Sequence, residues 1–398
     1  MADPAWQVDP IGFLLGPDHA ARFFEEIYER EPLIAVRTPG GRDERRFEDL
    51  VSIERLDSLL ASRTFEGGQV DVVRADRRMQ RTDYTDANNM VDRGAVARQF
   101  QTGGTIIFNQ LHESDARLAD FARAVQRVFT AHVQTNIYLT PPGGQGFRTH
   151  YDSHDVFVLQ VSGEKLWRLY DRPIGAPYRG EGFEPGAHET REPVETFTLK
   201  PGDCAYVPRG LMHDAESSGE QASLHVTLGI ITRTWADLLL EAVSEVALDA
   251  PELRRALPPG YALDPAKRAV VVREFKSILS RVAERATPEA ALDLFADTFI
   301  RRVSPDTRGA IAFDGRAIEP NDRFAVRTKL IFRIAEDDQR VAVIAPGGDL
   351  LFGEDERDAV ARALDGTAFG FEDLAPLAAE QARDVIVKLL AFGLLMRV

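Results

Sequence analysis

The sequence predicts a mainly β core of the sandwich or barrel kind, followed by a helical segment and a separate α+β unit. Three observations carry this. Short β-branched and aromatic runs, punctuated by Gly, Pro and Asp, recur between about residues 104 and 231. The apolar period then switches to helical from 234 to about 300. After 305 the texture mixes strand-like and helical stretches again.

Taken in order, the first 60 residues mix short helical and extended patterns, with Phe23, Phe24, Ile27 and Tyr28 at helical spacing before the apolar run Leu33 to Val36. The β region reads as strands at Thr105 to Phe108, Val133 to Leu139, Val156 to Val161, Leu166 to Tyr170, Thr196 to Leu199, Ala205 to Val207 and Leu224 to Ile231. In the helical region Leu238, Leu239, Ala242 and Val246 share one face, as do Phe275, Ile278, Leu279 and Val282, and then Leu292, Phe295 and Phe299. The link PPGYALDP separates the first two. The last segment holds KLIFRIA and RVAVIA as strands, a Pro-Gly-Gly turn, helices around Arg357 to Leu364 and Gln381 to Phe392, and a closing apolar LLMRV. This gives three expected parts: 1–232, 233–304 and 305–398.

At 398 residues the chain exceeds one ordinary core, so division into domains is expected. No apolar run approaches the roughly 18 residues of a membrane span, and MADPAWQVDP lacks the basic and apolar regions of a leader, so the expected location is cytoplasmic. A single cysteine, Cys204, excludes an internal disulfide and a cysteine-rich zinc site. Any metal must therefore be held by His and carboxylates. The formal charge of -15 disfavours nucleic acid and anionic membranes as direct partners and favours a basic one, although acidity also serves plain solubility.

One stretch carries far more ionisable chemistry than a strand needs: THYDSHDVFVLQVSGEKLWRLYDRP, residues 149 to 173. Its His150 and Asp152 form an H-x-D pair. Side chains two apart in extended chain point the same way, so an imidazole and a carboxylate can converge on one ion, supplying two thirds of the 2-His-1-carboxylate triad that suits non-haem Fe(II). In a chain with eight histidines such a pair means little without context. His213, on the bend of PGDCAYVPRGLMHDAES, can complete the set, or can be a surface loop histidine. His225, in SLHVTLGI, competes with it and is better placed for packing or support. Lys165 shares the phase of Trp167 and Leu169, the face a sheet buries, where a lysine needs an anion; on an edge strand it would instead reach solvent. Asn136 and Tyr138 put polar groups on one face of a strand leading to the pair, either for ligand binding or as satisfied polar groups of a barrel.

The order of these motifs, QTNIYLTPPGGQGFRTHYDSHDVFVLQVSGEKLWRLY, then PGDCAYVPRGLMHDAES, then SLHVTLGI, closely resembles the Jumonji C (JmjC) oxygenases, and within them the ribosomal oxygenase branch. FFEEIYEREPLIAV resembles that branch's lead-in, 234–300 its dimerisation helices, and 306–398 its winged-helix domain. The resemblance implies a double-stranded β-helix (cupin, jelly-roll) core, Fe(II) on His150, Asp152 and His213, 2-oxoglutarate on Lys165 and Asn136, and dioxygen as oxidant. It places Tyr138 and Ser223 near the substrate. It also makes Asp155 structural. Arg148, Ser153 and His154, all beside the metal pair, depart from the branch's usual residues, so Arg148 and His154 are candidate substrate contacts peculiar to this chain. The implied activity is hydroxylation of an amino-acid side chain of a protein or peptide, such as Arg or His of a ribosomal protein, by a homodimeric enzyme. Tailoring of a peptide natural product and a non-catalytic cupin-type binding role are the alternatives; methyl-lysine demethylation fits less well, since no aromatic cage is discernible. Over residues 301–398, 14 basic residues face 17 acidic ones, which argues against DNA binding by the last segment.

Overall fold

A computed structural model of the chain describes residues 4–37, 47–178, 180–308, 318–319, 321–336 and 340–398. It separates into two compact units, 1–232 and 233–398. The helical segment and the α+β segment thus share the second unit.

The first unit is built on two antiparallel sheets. The larger has seven strands in the order β1 (Leu33–Ala35), β8 (Cys204–Val207), β5 (Asp155–Ser162), β10 (Ser223–Ile231), β4 (His132–Thr140), β3 (Thr105–Phe108) and β2 (Val70–Val73). The smaller has three, β7 (Glu195–Leu199), β6 (Lys165–Leu169) and β9 (His213–Ser217). This is the expected cupin arrangement, and the alternation of each strand says what lies between and behind the sheets. In β5, Phe157, Leu159 and Val161 join the main core, while Val156 and Val158 face Trp167, Leu169 and Leu199 of the small sheet. Both faces of β5 are therefore buried, which is why its sequence is an unbroken apolar run rather than a polar-apolar alternation.

Behind the large sheet lies a helix, Ala116–Phe129, that the β reading of 104–231 passes over. Asp115 caps it by accepting from the backbone amides of Arg117 and Leu118. Its Leu118, Phe121, Ala122 and Val125 are buried in the same core as Val133 and Ile137 of β4. Burying Leu118, Phe121 or Val125 contributes roughly 1.5–3 kcal/mol each. With its outer face covered, the large sheet is free to present polar groups on its inner face.

In the second unit, helices Trp235–Asp249, Pro265–Arg285 and Pro288–Arg302 follow the expected periods. The three-stranded sheet β12 (Arg333–Glu336), β13 (Arg340–Ala345), β14 (Gly348–Gly353) and the pair β11 (Phe324–Val326) with β15 (Leu395–Arg397) pack with helices Arg357–Ala363 and Ala379–Ala391. Part of the expected α+β segment, 309–317, 320 and 337–339, lies outside the described residues. Phe299 and Ile300 of the third helix bury against Ile344 of β13, which explains why helices and sheet form one unit.

Candidate active site

Between the two sheets of the first unit opens a cavity of about 80 Å³. The expected triad meets on its wall. His150 and His213 are paired as an antiparallel bridge, His150 N donating to His213 O at 3.0 Å and His213 N to His150 O at 2.7 Å. His213 does not lie on a turn, as expected, but opens β9; HDAES lacks β-branched residues and is held extended by pairing with β6, its Asp214 and Glu216 both bonded to Arg168. The bridge sets the two imidazoles 4.7 Å apart, centroid to centroid. Asp152 Oδ2 lies 3.7 Å from His213 Nε2, and one ligand atom from each of His150, Asp152 and His213 falls within 4.8 Å of the others.

Each histidine is oriented by its own backbone neighbourhood. The Nδ1 of His150 lies 2.8 Å from the Arg148 carbonyl and that of His213 3.0 Å from the Leu211 carbonyl. A carbonyl only accepts, so both Nδ1 atoms carry the proton and both Nε2 lone pairs are left for an ion. Burial, with His150 nearby, pushes His213 down to about 4, so its imidazole is neutral and ligating at neutral pH. Two imidazoles and one carboxylate form the donor set expected for Fe(II).

Lys165 lies deeper. It is buried, with 4% of its surface exposed, and among the described residues its Nζ reaches only neutral groups: Thr140 Oγ1 at 3.2 Å and His225 Nδ1 at 3.5 Å. Desolvation alone lowers it to about 7. The cavity that its ammonium lines also holds the triad, and the buried Trp167 Nε1 beside it makes no hydrogen bond among the described residues. A small acid that bound the metal at one end and Lys165 at the other would satisfy both unmet demands.

The remaining expected residues fall in three places. Tyr138 lines the cavity; burial and the nearby Asp152 raise its hydroxyl, which stays protonated, and its ring stacks on His225 at 4.7 Å with planes 2° apart. Asn136 shares Tyr138's face of β4 but stands outside the cavity, its Oδ1 accepting from the Gln110 amide at 3.0 Å. Ser223 is fully buried, 2.9 Å from Gln160 Nε2, too deep to meet a protein substrate; the sequence motif gives its strand but not its depth. Arg148 is exposed and donates from Nε to the Ala75 carbonyl. His154 lies over Gly229 of β10, its Cε1 2.9 Å from where a Cβ there would stand. Asp155 is fully buried and accepts from the Tyr206 hydroxyl at 2.7 Å, anchoring the start of β5.

Sequence reasoning missed Thr140, which holds Lys165, and the aromatic rim. Phe147 stands 5.6 Å and Phe183 6.3 Å from the His150 ring. Thr140 follows in phase from Asn136 and Tyr138, so the period-2 signal was available. Phe183 comes from the β6–β7 loop, which no local pattern ties to the metal pair.

Residues 107–238 match the family model for the JmjC domain. Two sheets enclosing a His-Asp-His cluster thus define a JmjC-domain protein of the cupin type. The chain is 30% identical over 319 residues to human ribosomal oxygenase 1, an alignment covering 75% of the chain and 47% of that protein. It is also 30% identical over 304 residues to rat ribosomal oxygenase 2, covering 73% of the chain and 64% of the relative. The chain thus carries a JmjC domain and is similar over about three quarters of its length to ribosomal oxygenases 1 and 2. Less than two thirds of either relative's length is spanned. Its fold is similar to the X-ray structure of E. coli ycfD, with a TM-score of 0.51 and 15% identity over 95% of this chain and 98% of that one.

Proposed function

We propose that this protein is an Fe(II)- and 2-oxoglutarate-dependent dioxygenase that hydroxylates an amino-acid side chain of a protein or peptide. The observation that carries this reading is one cavity holding two complementary binding elements: a three-donor cluster fit for iron and, deeper, a buried lysine with no anionic partner among the described residues. His150, Asp152 and His213 would hold the iron through Nε2, a carboxylate oxygen and Nε2. When bound, the iron and the keto acid supply the oxidising power that puts one atom of dioxygen into a substrate C–H bond.

The chain's own residues do the rest. Lys165 binds the far carboxylate of 2-oxoglutarate, and Thr140 fixes its direction. Tyr138 closes the side of the cavity between that carboxylate and Asp152. Phe147 and Phe183 screen the metal side from water, and Arg148 and His154, close in sequence to the metal pair, are the candidate contacts for an incoming chain. Human ribosomal oxygenase 1 is the kind of relative that favours a ribosomal protein, with Arg or His as target residue, and the net charge of -15 favours a basic partner. Tailoring of a peptide natural product uses the same chemistry; the residues Arg148, Ser153 and His154, unusual for the branch and flanking the metal pair, are what favour it. A non-catalytic binding role leaves Lys165 unexplained.

Finer features belong to the same proposal. The exposed apolar faces of the second unit's helices, Trp235 at 82% and Phe275 at 61%, suit a two-fold helical dimer interface. The last segment serves as a winged-helix-like protein contact. Among the described residues no helix is long and apolar enough to cross a membrane, and the proposed site of action is the cytoplasm. Incubation of the full chain with Fe(II), 2-oxoglutarate, oxygen and host ribosomal proteins, read by mass spectrometry, is expected to show a gain of one oxygen on one protein; no gain on any of them overturns the ribosomal substrate.

A further inference from the structure

His225 has no assigned part in the reading above, yet it is built into the cavity as firmly as the triad. It is 3% exposed. Its ring is sandwiched by geometry rather than filling space loosely: parallel to Tyr138 at 4.7 Å, edge-on to Trp167 at 5.9 Å, with Nδ1 turned to Lys165 Nζ at 3.5 Å. Stacking on one side and an edge contact on the other fix the plane of the imidazole, and the approach of Nδ1 to Lys165 selects its orientation within that plane. Burial, and then the Lys165 charge, hold it well below the ordinary histidine range, so it is neutral and can accept from the ammonium.

We infer that His225 is a positioning residue for the cosubstrate: by accepting from Lys165 Nζ it fixes, together with Thr140, the direction in which the ammonium's remaining N–H bonds meet the far carboxylate of 2-oxoglutarate. The inference rests on the proposed function, since it concerns how that cosubstrate is held. An ammonium has three donors. Thr140 and His225 occupy two directions, on β4 and β10, strands that pair side by side with Tyr138 opposite His225. The third is left for the ligand. In their absence a flexible lysine would present its charge in several directions, and much of the affinity gained from a fixed donor would be lost.

The charge balance of the pair gives this a signature that mere packing lacks. Around it, β4 contributes Tyr138 and Thr140, β6 contributes Trp167, and β10 contributes Thr227; Tyr138 is the one other titratable group among these, and burial keeps it protonated. No carboxylate among the cavity's walls near Lys165 is in hydrogen-bond reach of it among the described residues. Lys165, at about 7 when unliganded, must be charged to bind a carboxylate. Binding therefore takes up a proton above pH 7, and affinity falls as pH rises through that range.

Titration calorimetry of 2-oxoglutarate into the Mn(II)-loaded full chain, in buffers of different ionisation enthalpy, tests this. The unaltered protein is expected to take up nearly one proton per 2-oxoglutarate at pH 8 and to lose affinity severalfold between pH 7 and 8. His225→Phe keeps the stack on Tyr138 and removes the acceptor; its dissociation constant is expected to rise about tenfold and its affinity to start falling at lower pH. His225→Asn loses the stack and keeps an acceptor near the Nδ1 position; it is expected to stay within about threefold of wild type. Equal losses in both variants, or a wild-type constant and proton uptake in His225→Phe, overturn the inference while the function stands. An unaltered protein that takes up no proton overturns it too, without any variant having to fold. If the unaltered protein binds no 2-oxoglutarate, the functional reading falls and takes this inference with it.

Discussion

Lys165 is the residue whose cost the fold carries without return until a ligand arrives. Replacing it with Met removes a buried amine that desolvation holds at about 7 against an ordinary 10.5. The folded state resists protonation there, so the native lysine destabilises the unliganded protein most at and below pH 7, and less as pH rises towards 10.5. Lys165→Met is therefore expected to unfold about 1–3 kcal/mol later than wild type at pH 7, with the gap closing by pH 10, in urea melts of the unliganded protein. The same variant should lose 2-oxoglutarate affinity by on the order of a hundredfold or more, the cost of removing one partner of a buried charge pair. Higher stability together with lost binding is the mark of a functional group rather than a structural one. Asp152→Ala or His213→Ala should reduce 2-oxoglutarate decarboxylation to under about 1% of wild type, measured as succinate formed, because the triad loses a ligand.

Much of this was legible at the residue scale. The H-x-D spacing and the phase of Lys165 depend only on the two-residue period of extended chain, which tertiary structure did not override. Ser223 and Asn136 were harder because phase gives the face of a strand and not the depth along it. Ser223 shares the phase of His225 and Thr227 on its strand, yet it is fully buried against Gln160 and does not line the cavity.

Single elements position these residues. β9 is the instructive one. HDAES has neither β-branched residues nor an apolar face, so propensity gives no strand; Arg168 on β6, paired to Asp214 and Glu216, makes one. The helix Ala116–Phe129 was hidden for a different reason, since it lies among strands that dominate the local texture. Strand β5 was legible because burial on both faces writes an apolar run that cannot be mistaken for a surface strand. Its first residue, Asp155, takes a hydrogen bond from Tyr206, whose hydroxyl in turn accepts from the Glu29 amide at 2.8 Å. Tyr206→Phe leaves both groups short of a partner without changing the ring, and is expected to cost about 1–3 kcal/mol in urea unfolding. Because Asp155 starts the strand that follows Asp152, Mn(II) affinity should weaken as well.

On the scale of the whole molecule, the two units divide the work. The first holds the proposed site; the second exposes apolar helix faces of the kind a dimer interface would cover. Light scattering at micromolar concentration is expected to give twice the 44.2 kDa chain mass, and Trp235→Glu with Phe275→Glu to return a monomer with Fe(II) binding intact. A monomer mass for the unaltered chain removes the dimer. The helical periods were plain in sequence, but their sharing of one unit with the following sheet was not, because Phe299, Ile300 and Ile344 meet only in three dimensions.

In the proposed function iron and a keto diacid share one cavity in the first unit. Anaerobic addition of Fe(II) and then 2-oxoglutarate to the full chain tests it most directly. A visible metal-to-ligand charge-transfer band is expected in the wild type, lost in Asp152→Ala and absent or strongly weakened in Lys165→Met. Bound iron with no such band at saturating 2-oxoglutarate contradicts the account.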